Sequence, residues 1–502
     1  MSTKRWILPL AAMLLLSACV SEARAQRLEG RVVEHTLDNG MRLILMERNA
    51  APVVSAVIRY NVGSVDEEEG KTGLAHLYEH LAFRGTEVVG TLDYARETVL
   101  RSSIDSLESC RVRLVESGEG AHVEPVRGIE EQLEKMKAEL EDILVVEELD
   151  QIYNLNGSVG LNATTTADFT TFMVDLPANR LPLWAILESD RMAHSVPRDL
   201  EAERSIVAKE RRARIQDDPE AALYQQFLKT AFTVHPYRRP VPGWEGELES
   251  IDLEDVYAFY HGYYSPTNAV AAVVGDIDSE HVIALAESTF GRIPCRTVSC
   301  ERAVPAEPKQ REARAVVLER DTEPALFMGF HKPEITHPDD RVFEVMSRIL
   351  TTGTRSRLYQ SLFVQEQIAM DASSWLGPGD RYPNLLIIAA RPIWPHTCEE
   401  VESAVWSELE TLAREPVDGE ELRRAKNRVS AEFLRKLQDN RGMADELSYY
   451  AISTGDWRNL ERRVSRIESV GPEDIQRCAA RYFIRENCTI ARLVSTRREK
   501  GE

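Results

Sequence analysis

Residues 76 to 80 read His-Leu-Tyr-Glu-His. On a helix, positions i and i+4 lie one above the other on the same face. The spacing therefore sets the imidazoles of His76 and His80 side by side, at a separation one zinc ion bridges. Glu79 projects beside them, where a carboxylate can take a proton from a water on the metal. The plain alternative is a pair of surface histidines on an amphipathic helix. A catalytic zinc keeps three protein ligands and one open position, so a third ligand is required. Residues 201–215, Glu-Ala-Glu-Arg-Ser-Ile-Val-Ala-Lys-Glu-Arg-Arg-Ala-Arg-Ile, read as helix throughout, with no Gly or Pro. Glu203 and Glu210 fall two turns apart on one face of it. In so charged a helix a solvated face is the default, and spacing alone does not choose between the readings.

Three stretches in order carry a family resemblance. Gly-Leu-Ala-His-Leu-Tyr-Glu-His-Leu-Ala-Phe-Arg-Gly-Thr (73–86), Gly-Leu-Asn-Ala-Thr-Thr-Thr (160–166) and the Glu-x6-Glu helix resemble the pitrilysin/insulinase family of zinc metallopeptidases. These are inverzincins, whose H-x-x-E-H inverts the commoner H-E-x-x-H. The resemblance spans nearly the whole chain after its first residues. It implies an α+β fold of two homologous domains, each a mostly antiparallel sheet packed with helices. It implies Zn2+ held by His76, His80 and Glu210, with Glu79 as the catalytic base and Glu203 supporting the site. Leu161, Asn162, Ala163 and Thr164 would form an exposed edge strand that pairs with an extended peptide substrate. His235-Pro-Tyr237 and Gly243-Trp244 match a family loop and read as packing. The implied activity is cleavage of extended peptides or unfolded segments by a bacterial two-domain, processing-peptidase-like subunit. The alternative within the same fold is a catalytically silent subunit that holds peptides or assists assembly.

One departure stands out. Active members of the family carry an Arg and a Tyr, seven apart, in a C-terminal domain facing the zinc, where they steady the oxyanion. After Ser356-Arg-Leu-Tyr-Gln-Ser-Leu362 the matching positions hold Phe363 and Met370. Neither side chain donates a strong hydrogen bond, and such donors are worth a few kcal/mol of barrier, roughly. The expectation is a homologous partner subunit that supplies the pair. A slow stand-alone enzyme is the other resolution.

Along the chain, Arg42–Glu47 and Val53–Tyr60 have the apolar, β-branched character of strands, with a hairpin turn at Asn39-Gly40. Tyr94–Glu116 and Gly128–Leu149 show helical spacing and read as a helical hairpin inserted over 94–150. Ala269–Asp276 reads as a buried strand closing the first domain, assigned to residues 27–295. Residues 296–312 are polar and Pro-bearing, a linker. Residues 313–502 repeat the order of strands and helices without the zinc motif, a weak internal repeat.

A chain of 502 residues exceeds one core. Its net charge of −21 argues against nucleic acid. Lys4 and Arg5 precede an apolar run, Ile7–Leu16, too short to span a bilayer, so residues 1–25 read as an export leader. Leu16-Ser17-Ala18-Cys19 fits a lipobox that would lipidate Cys19 and attach the protein to a membrane. Ala23-Arg24-Ala25 fits ordinary signal cleavage. The lipobox is preferred, and either site implies a periplasmic or outer-membrane-anchored location. Six further cysteines include Cys295 and Cys300, the best candidate disulfide.

Overall fold

The computed structural model describes residues 28–116, 123–295 and 304–496. Cys19, both leader cleavage sites and Cys300 lie outside the described residues. Cys295 is a free, exposed thiol. No helix among the described residues is long and apolar enough to cross a membrane.

Two sheets organise the chain. The first contains β1 (Val32–Thr36), β2 (Arg42–Glu47), β3 (Val53–Tyr60), β4 (Val159–Thr165), β5 (Thr170–Pro177) and β6 (Ala269–Gly275), in the order β1-β2-β6-β3-β5-β4. The second contains β7 (Arg314–Arg320), β8 (Ala325–Lys332), β9 (Ala369–Gly377), β10 (Asn384–Pro392) and β11 (Cys488–Ser495), in the order β7-β11-β8-β10-β9. Dropping β1, the two orders superpose strand for strand. In each sheet one pair is parallel, β2–β6 and β7–β11, and the other pairs are antiparallel. The α+β, mostly antiparallel duplication expected from the sequence is present.

The helices in chain order are α1 (Leu74–Leu81), α2 (Tyr94–Glu116), α3 (Val123–Glu141), α4 (Glu148–Leu155), α5 (Leu181–His194), α6 (Leu200–Arg211), α7 (Pro219–Ala231), α8 (Leu253–Tyr263) and α9 (Ser279–Ser288) in the first half. The second half has α10 (Asp340–Thr351), α11 (Cys398–Arg414), α12 (Gly419–Lys436), α13 (Asn440–Ser453), α14 (Arg458–Glu468) and α15 (Pro472–Tyr482). The zinc-motif helix α1 occupies the place of α10 in the repeat.

The halves exchange helices. Strand side chains alternate between faces, and here both faces are buried. Leu43 and Leu45 of β2 enter a core built with α1, α5 and α8. Ile44 and Met46 enter a second core against Met443, Ala444 and Leu447 of α13, a helix from the other half. Reciprocally, Leu326, Met328 and Phe330 of β8 pack on α10 and α11, while Phe327 packs on Leu223 and Phe227 of α7 from the first half. Two-sided burial explains why these strands read as continuous apolar runs.

Two sequence expectations need correction. The inserted hairpin has its second helix end at Glu141, and Glu148–Leu155 is a separate helix. Between them Leu144 bridges Thr91, and the Leu92 and Val145 amides bond to Ile143 and Gly90 carbonyls. The run Ile143-Leu-Val-Val146 favours extended backbone, and Glu147 sits at φ 55°, where a helix cannot continue. The supposed linker is also docked where described. Glu307 accepts from the amides of Thr233, Val234 and His235, and buried Gln310 donates to the Cys488 carbonyl at 2.8 Å.

Candidate metal centre and peptide groove

Helix α1 buries Leu74, Ala75, Leu77, Tyr78 and Leu81 in the first core, which leaves His76, Glu79 and His80 on the remaining face. Its start is fixed by buried Glu67, whose carboxylate accepts from the Gly73 and Ala75 amides at 3.0 and 2.9 Å. Burial pushes Glu67 up to about 8, and those two amides oppose the rise. Gly73 lies at φ +91°, and a Cβ there would stand 2.8 Å from the Pro242 carbonyl, so glycine is required at this entry.

Helix α6 runs beside α1. It buries Glu203, Val207 and Arg211 along one face and carries Glu210 at its edge, immediately before a π-helical turn over Arg212–Gln216. Glu210 Oε1 pairs with Arg214 at 2.6 Å. Its Oε2 faces His80 Nε2 at 3.5 Å and His76 Nε2 at 3.9 Å. These separations are too long for hydrogen bonds. The nearer one matches the roughly 3.4 Å expected between two ligand atoms on one tetrahedral zinc. One donor atom from each of His76, His80 and Glu210 lies within 4.8 Å of the others. The two rings stand 4.9 Å apart at 79°. Two imidazole nitrogens and one carboxylate oxygen are an ordinary zinc donor set, and the residues fit that ion.

The tautomer of His80 follows from its neighbour. His80 Nδ1 lies 3.1 Å from Glu203 Oε2, so Nδ1–H donates and Nε2 keeps its lone pair. Arg84 donates through Nε to Glu203 Oε1 at 2.6 Å, and its Nη2 pairs with the same oxygen. Burial alone would raise Glu203, which is 2% exposed; the His80 and Arg84 donors reverse this and hold it below its ordinary value. The same Glu203 bond raises His80. Burial, with His80 adjacent, lowers His76 to about 4 and keeps its imidazole neutral.

Glu79 accepts a hydrogen bond from the Thr165 hydroxyl, and burial raises its pKa. Thr165 ends β4, the outer strand of the first sheet. Leu161, Asn162 and Ala163 line a cavity of about 320 Å³ together with Glu79, His80, Phe83, Arg84, Glu147, Asp150 and Glu203. Thr164 lies on the opposite face and lines a cavity of about 560 Å³ between the halves, with Trp375 and Tyr449. Thus β4 brings its first three expected residues to the candidate centre and turns the fourth away. The β4–β5 register shifts between Val159 and Asn162. Arg441 from α13 steadies that irregularity, donating to the Val159 carbonyl at 3.2 Å and to Asp175 at 3.0 Å.

Sequence reasoning did not single out Arg84, Thr165, Glu67, Glu147 or Asp150. Arg84 follows His80 by four positions, which is a usable signal. Thr165 lies within the Leu-Asn-Ala-Thr-Thr-Thr stretch. The remaining three reach the site through folding alone. The His235 and Gly243 loop packs as expected: Tyr237 donates to Asp168 at 2.6 Å, and a Cβ on Gly243 would meet the Thr72 carbonyl at 2.3 Å. Phe363 lies in a π-helical turn stacked on Tyr359, centroids 5.1 Å apart, and Met370 at the start of β9 is 49% exposed.

The family model described as Insulinase (Peptidase family M16) matches residues 43–99, and the one described as Peptidase M16 inactive domain matches residues 250–429. Models of peptidase family M16 thus match parts of both halves of this chain. It is 26% identical to "Zinc protease PqqE" of Helicobacter pylori over 96% of both chains. It is 25% identical to "Uncharacterized zinc protease ML0855" of Mycobacterium leprae over 91% of both. The crystal structure of a protease from Helicobacter pylori superposes with a TM-score of 0.76 at 24% identity, covering 92% of this chain and 99% of that one. The chain therefore resembles zinc proteases along its length, and residues 250–429 match the model described as the inactive domain.

Proposed function

We propose that this chain is a zinc-dependent endopeptidase that cleaves extended peptides or unfolded segments, and the catalytic subunit of a complex with a homologue bearing an Arg/Tyr pair. The observation that carries the reading is the convergence of His76 Nε2, His80 Nε2 and Glu210 Oε2, with Glu79 beside them, at an open sheet edge. Zinc held by these three residues supplies Lewis-acid polarisation of the scissile carbonyl and a more acidic water. Glu79 takes the proton from the attacking water and returns it to the leaving amine. Its burial-raised pKa suits a group that must both accept and donate a proton. The Thr165 hydroxyl keeps that carboxylate turned toward β4. The free main-chain edge of β4 aligns the peptide as an added strand. Glu203 fixes the His80 ring and, being paired with Arg84, stays ionised.

The partner is proposed because Phe363 and Met370 occupy the positions of the family's clamp and donate nothing. The leader supports export, with attachment through lipidated Cys19. Palmitate labelling lost in Cys19→Ala tests that attachment. A peptidase assay on the full chain, beside its zinc content, tests the main reading. Zinc binding with hydrolysis abolished in Glu79→Gln supports it. Zinc binding without hydrolysis, alone and with the homologue, favours the silent peptide-holding subunit.

A further inference from the structure

The two halves meet tip to tip through equivalent hairpins. In the repeat, β9–β10 of the second half corresponds to β4–β5 of the first. Asp168, buried in the β4–β5 turn, accepts from the Asp380 and Arg381 amides of the β9–β10 turn at 2.6 and 3.0 Å. Its other oxygen accepts from the Tyr237 hydroxyl, which in turn accepts from the Tyr382 amide at 3.2 Å. The approach is close: a Cβ on Gly379 would stand 2.5 Å from Asp168 Oδ2. The Arg381 side chain then crosses to the first half. Its Nη2 donates to both carboxylate oxygens of Asp66 at 2.8 Å, and its Nη1 donates to Asn61 Oδ1 at 2.7 Å.

Both anchor points adjoin the candidate centre. Asp66 precedes Glu67, whose carboxylate caps α1. Asp168 lies in the turn that follows Thr165, the residue that holds Glu79. The loop and the turn are also joined to each other, since the Ser64 and Val65 amides donate to the Thr166 and Ala167 carbonyls at 3.2 and 2.9 Å. One turn of the second half thus grips the segment that starts α1 and the segment that ends β4.

Cohesion of the halves does not require this tie, because the apolar cores under α13 and α7 already join them. Arg381 and Asp66 are both largely buried. A buried ion pair is often no more stabilising than apolar side chains of the same size. Arg381 Nε is buried without a hydrogen-bond partner among the described residues, which detracts from stability. What a guanidinium with several fixed bonds adds is direction.

We propose that Arg381 is a positioning residue for the candidate centre. Anchored by its amide on Asp168 and by its side chain on Asp66, it sets α1 against β4 so that Glu79 meets Thr165 and the peptide-pairing edge. Its effect on hydrolysis rests on the peptidase reading, so placement and turnover are measured separately.

The first arm is hydrogen–deuterium exchange on the zinc-loaded, full-length chain. Arg381→Met with Asp66→Asn removes both charges together, strands neither, and leaves an acceptor for the Gly63 amide. Arg381→Lys keeps the charge and loses the multiple contact. Ile44→Ala is the control: it weakens the packing of β2 on α13, with β6, β3 and β5 between it and β4. Rates are taken relative to amides of the buried strand β6, which report opening of the whole fold. Amides of 73–78 and 159–165 are expected to exchange about fivefold faster or more in the Met/Asn variant, less so in Arg381→Lys, and at the parent's relative rate in Ile44→Ala. Unchanged relative exchange in either stretch, or an equal rise in Ile44→Ala, overturns the proposal.

The second arm measures turnover with the homologue present. The Met/Asn pair is expected to lower kcat about tenfold with KM within about threefold of the parent. In a Thr165→Val background the same pair should cost less than about threefold, because the contact through which it acts is already gone. Losses that simply multiply overturn the link to Glu79. A parent chain that hydrolyses nothing removes the peptidase reading, and the exchange arm then decides the placement by itself.

Discussion

Glu203 and His80 meet across α6 and α1 with Oε2 and Nδ1 3.1 Å apart, and this one bond decides which nitrogen of His80 faces Glu210. Removing it should loosen the metal without abolishing the site. Glu203→Ala is expected to weaken zinc affinity about 10–100-fold, as loss of such orienting partners commonly does. His76→Ala, His80→Ala and Glu210→Ala should each lose the metal outright. Competitive chelator titration with zinc analysis checks both tiers. Full zinc retention in Glu210→Ala would mean that another group supplies the third ligand.

Glu79→Gln should keep zinc and lose hydrolysis, since an amide cannot accept the proton. The loss should be at least the roughly 10²–10⁴-fold typical of general acid–base catalysis. Thr165→Val should have a smaller effect, because it removes only the hydroxyl that holds Glu79. Single-turnover rates on a common peptide rank the two. Equal losses would show that Thr165 has a direct role.

Much of the fold and centre was legible in the residues. His76, Glu79 and His80 lie within one helical turn, where spacing dictates geometry. Asn39-Gly40 and the apolar runs of β2, β3 and β6 announced their strands. What escaped was set by long-range packing. Phe327 and Leu326 look alike in sequence, yet one faces α7 and the other α10. Nothing local says that the halves trade helices. Glu67 belongs to an acidic, loop-like stretch, Glu147 and Asp150 lie at the end of the segment read as a helical hairpin, and only the path of the backbone brings the three to the site. Glu203 follows from the family resemblance, while its bond to His80 depends on both helices being in place.

The helix exchange makes a steric prediction at Phe227 and Gly329. A Cβ on Gly329 of β8 would stand 2.3 Å from the Phe227 ring on α7. Gly329→Ala should therefore cost about 1–3 kcal/mol by overpacking. Phe227→Ala should cost about 3–5 kcal/mol by cavity formation. Combined, the two should be less harmful than their sum, since truncating the ring makes room for the methyl. Denaturant unfolding of the four proteins measures the coupling. Strict additivity would place the ring elsewhere in solution.

Glu307 ties residues 304–312 to the first half and should report on pH. Burial alone would raise its pKa, but the amides of His235, Val234 and Thr233 bring it down from 4.5 to about 2. A depressed acid stabilises the fold fully above its unfolded value and loses that contribution as pH falls through the folded value. Glu307→Gln should therefore be less stable than the parent by about 1–2 kcal/mol near neutrality, allowing for solvent screening of a half-buried group. The gap should shrink between pH 4.5 and about 2. Paired thermal melts across that window test the sign. A gap that widens on acidification would mean that the carboxylate is not what the three amides hold.

The last prediction concerns Phe363 and Met370. The ring of Phe363 stacks on Tyr359, and Met370 opens to solvent at the start of β9. Two copies of this chain would duplicate the candidate zinc centre and, on the proposed reading, still bring no donor for the developing oxyanion. The purified chain is therefore expected to bind zinc and hydrolyse peptides feebly, whereas a homologue carrying Arg and Tyr at the matching positions should raise the rate steeply. Each such donor is worth about 10²–10³ in kcat in other hydrolases. In that homologue, Arg→Ala should lower kcat of the mixture more than it changes KM, because the interaction forms only as charge develops. Robust turnover by the isolated chain, unaffected by the homologue, would place the oxyanion donors within this chain and remove the need for a partner.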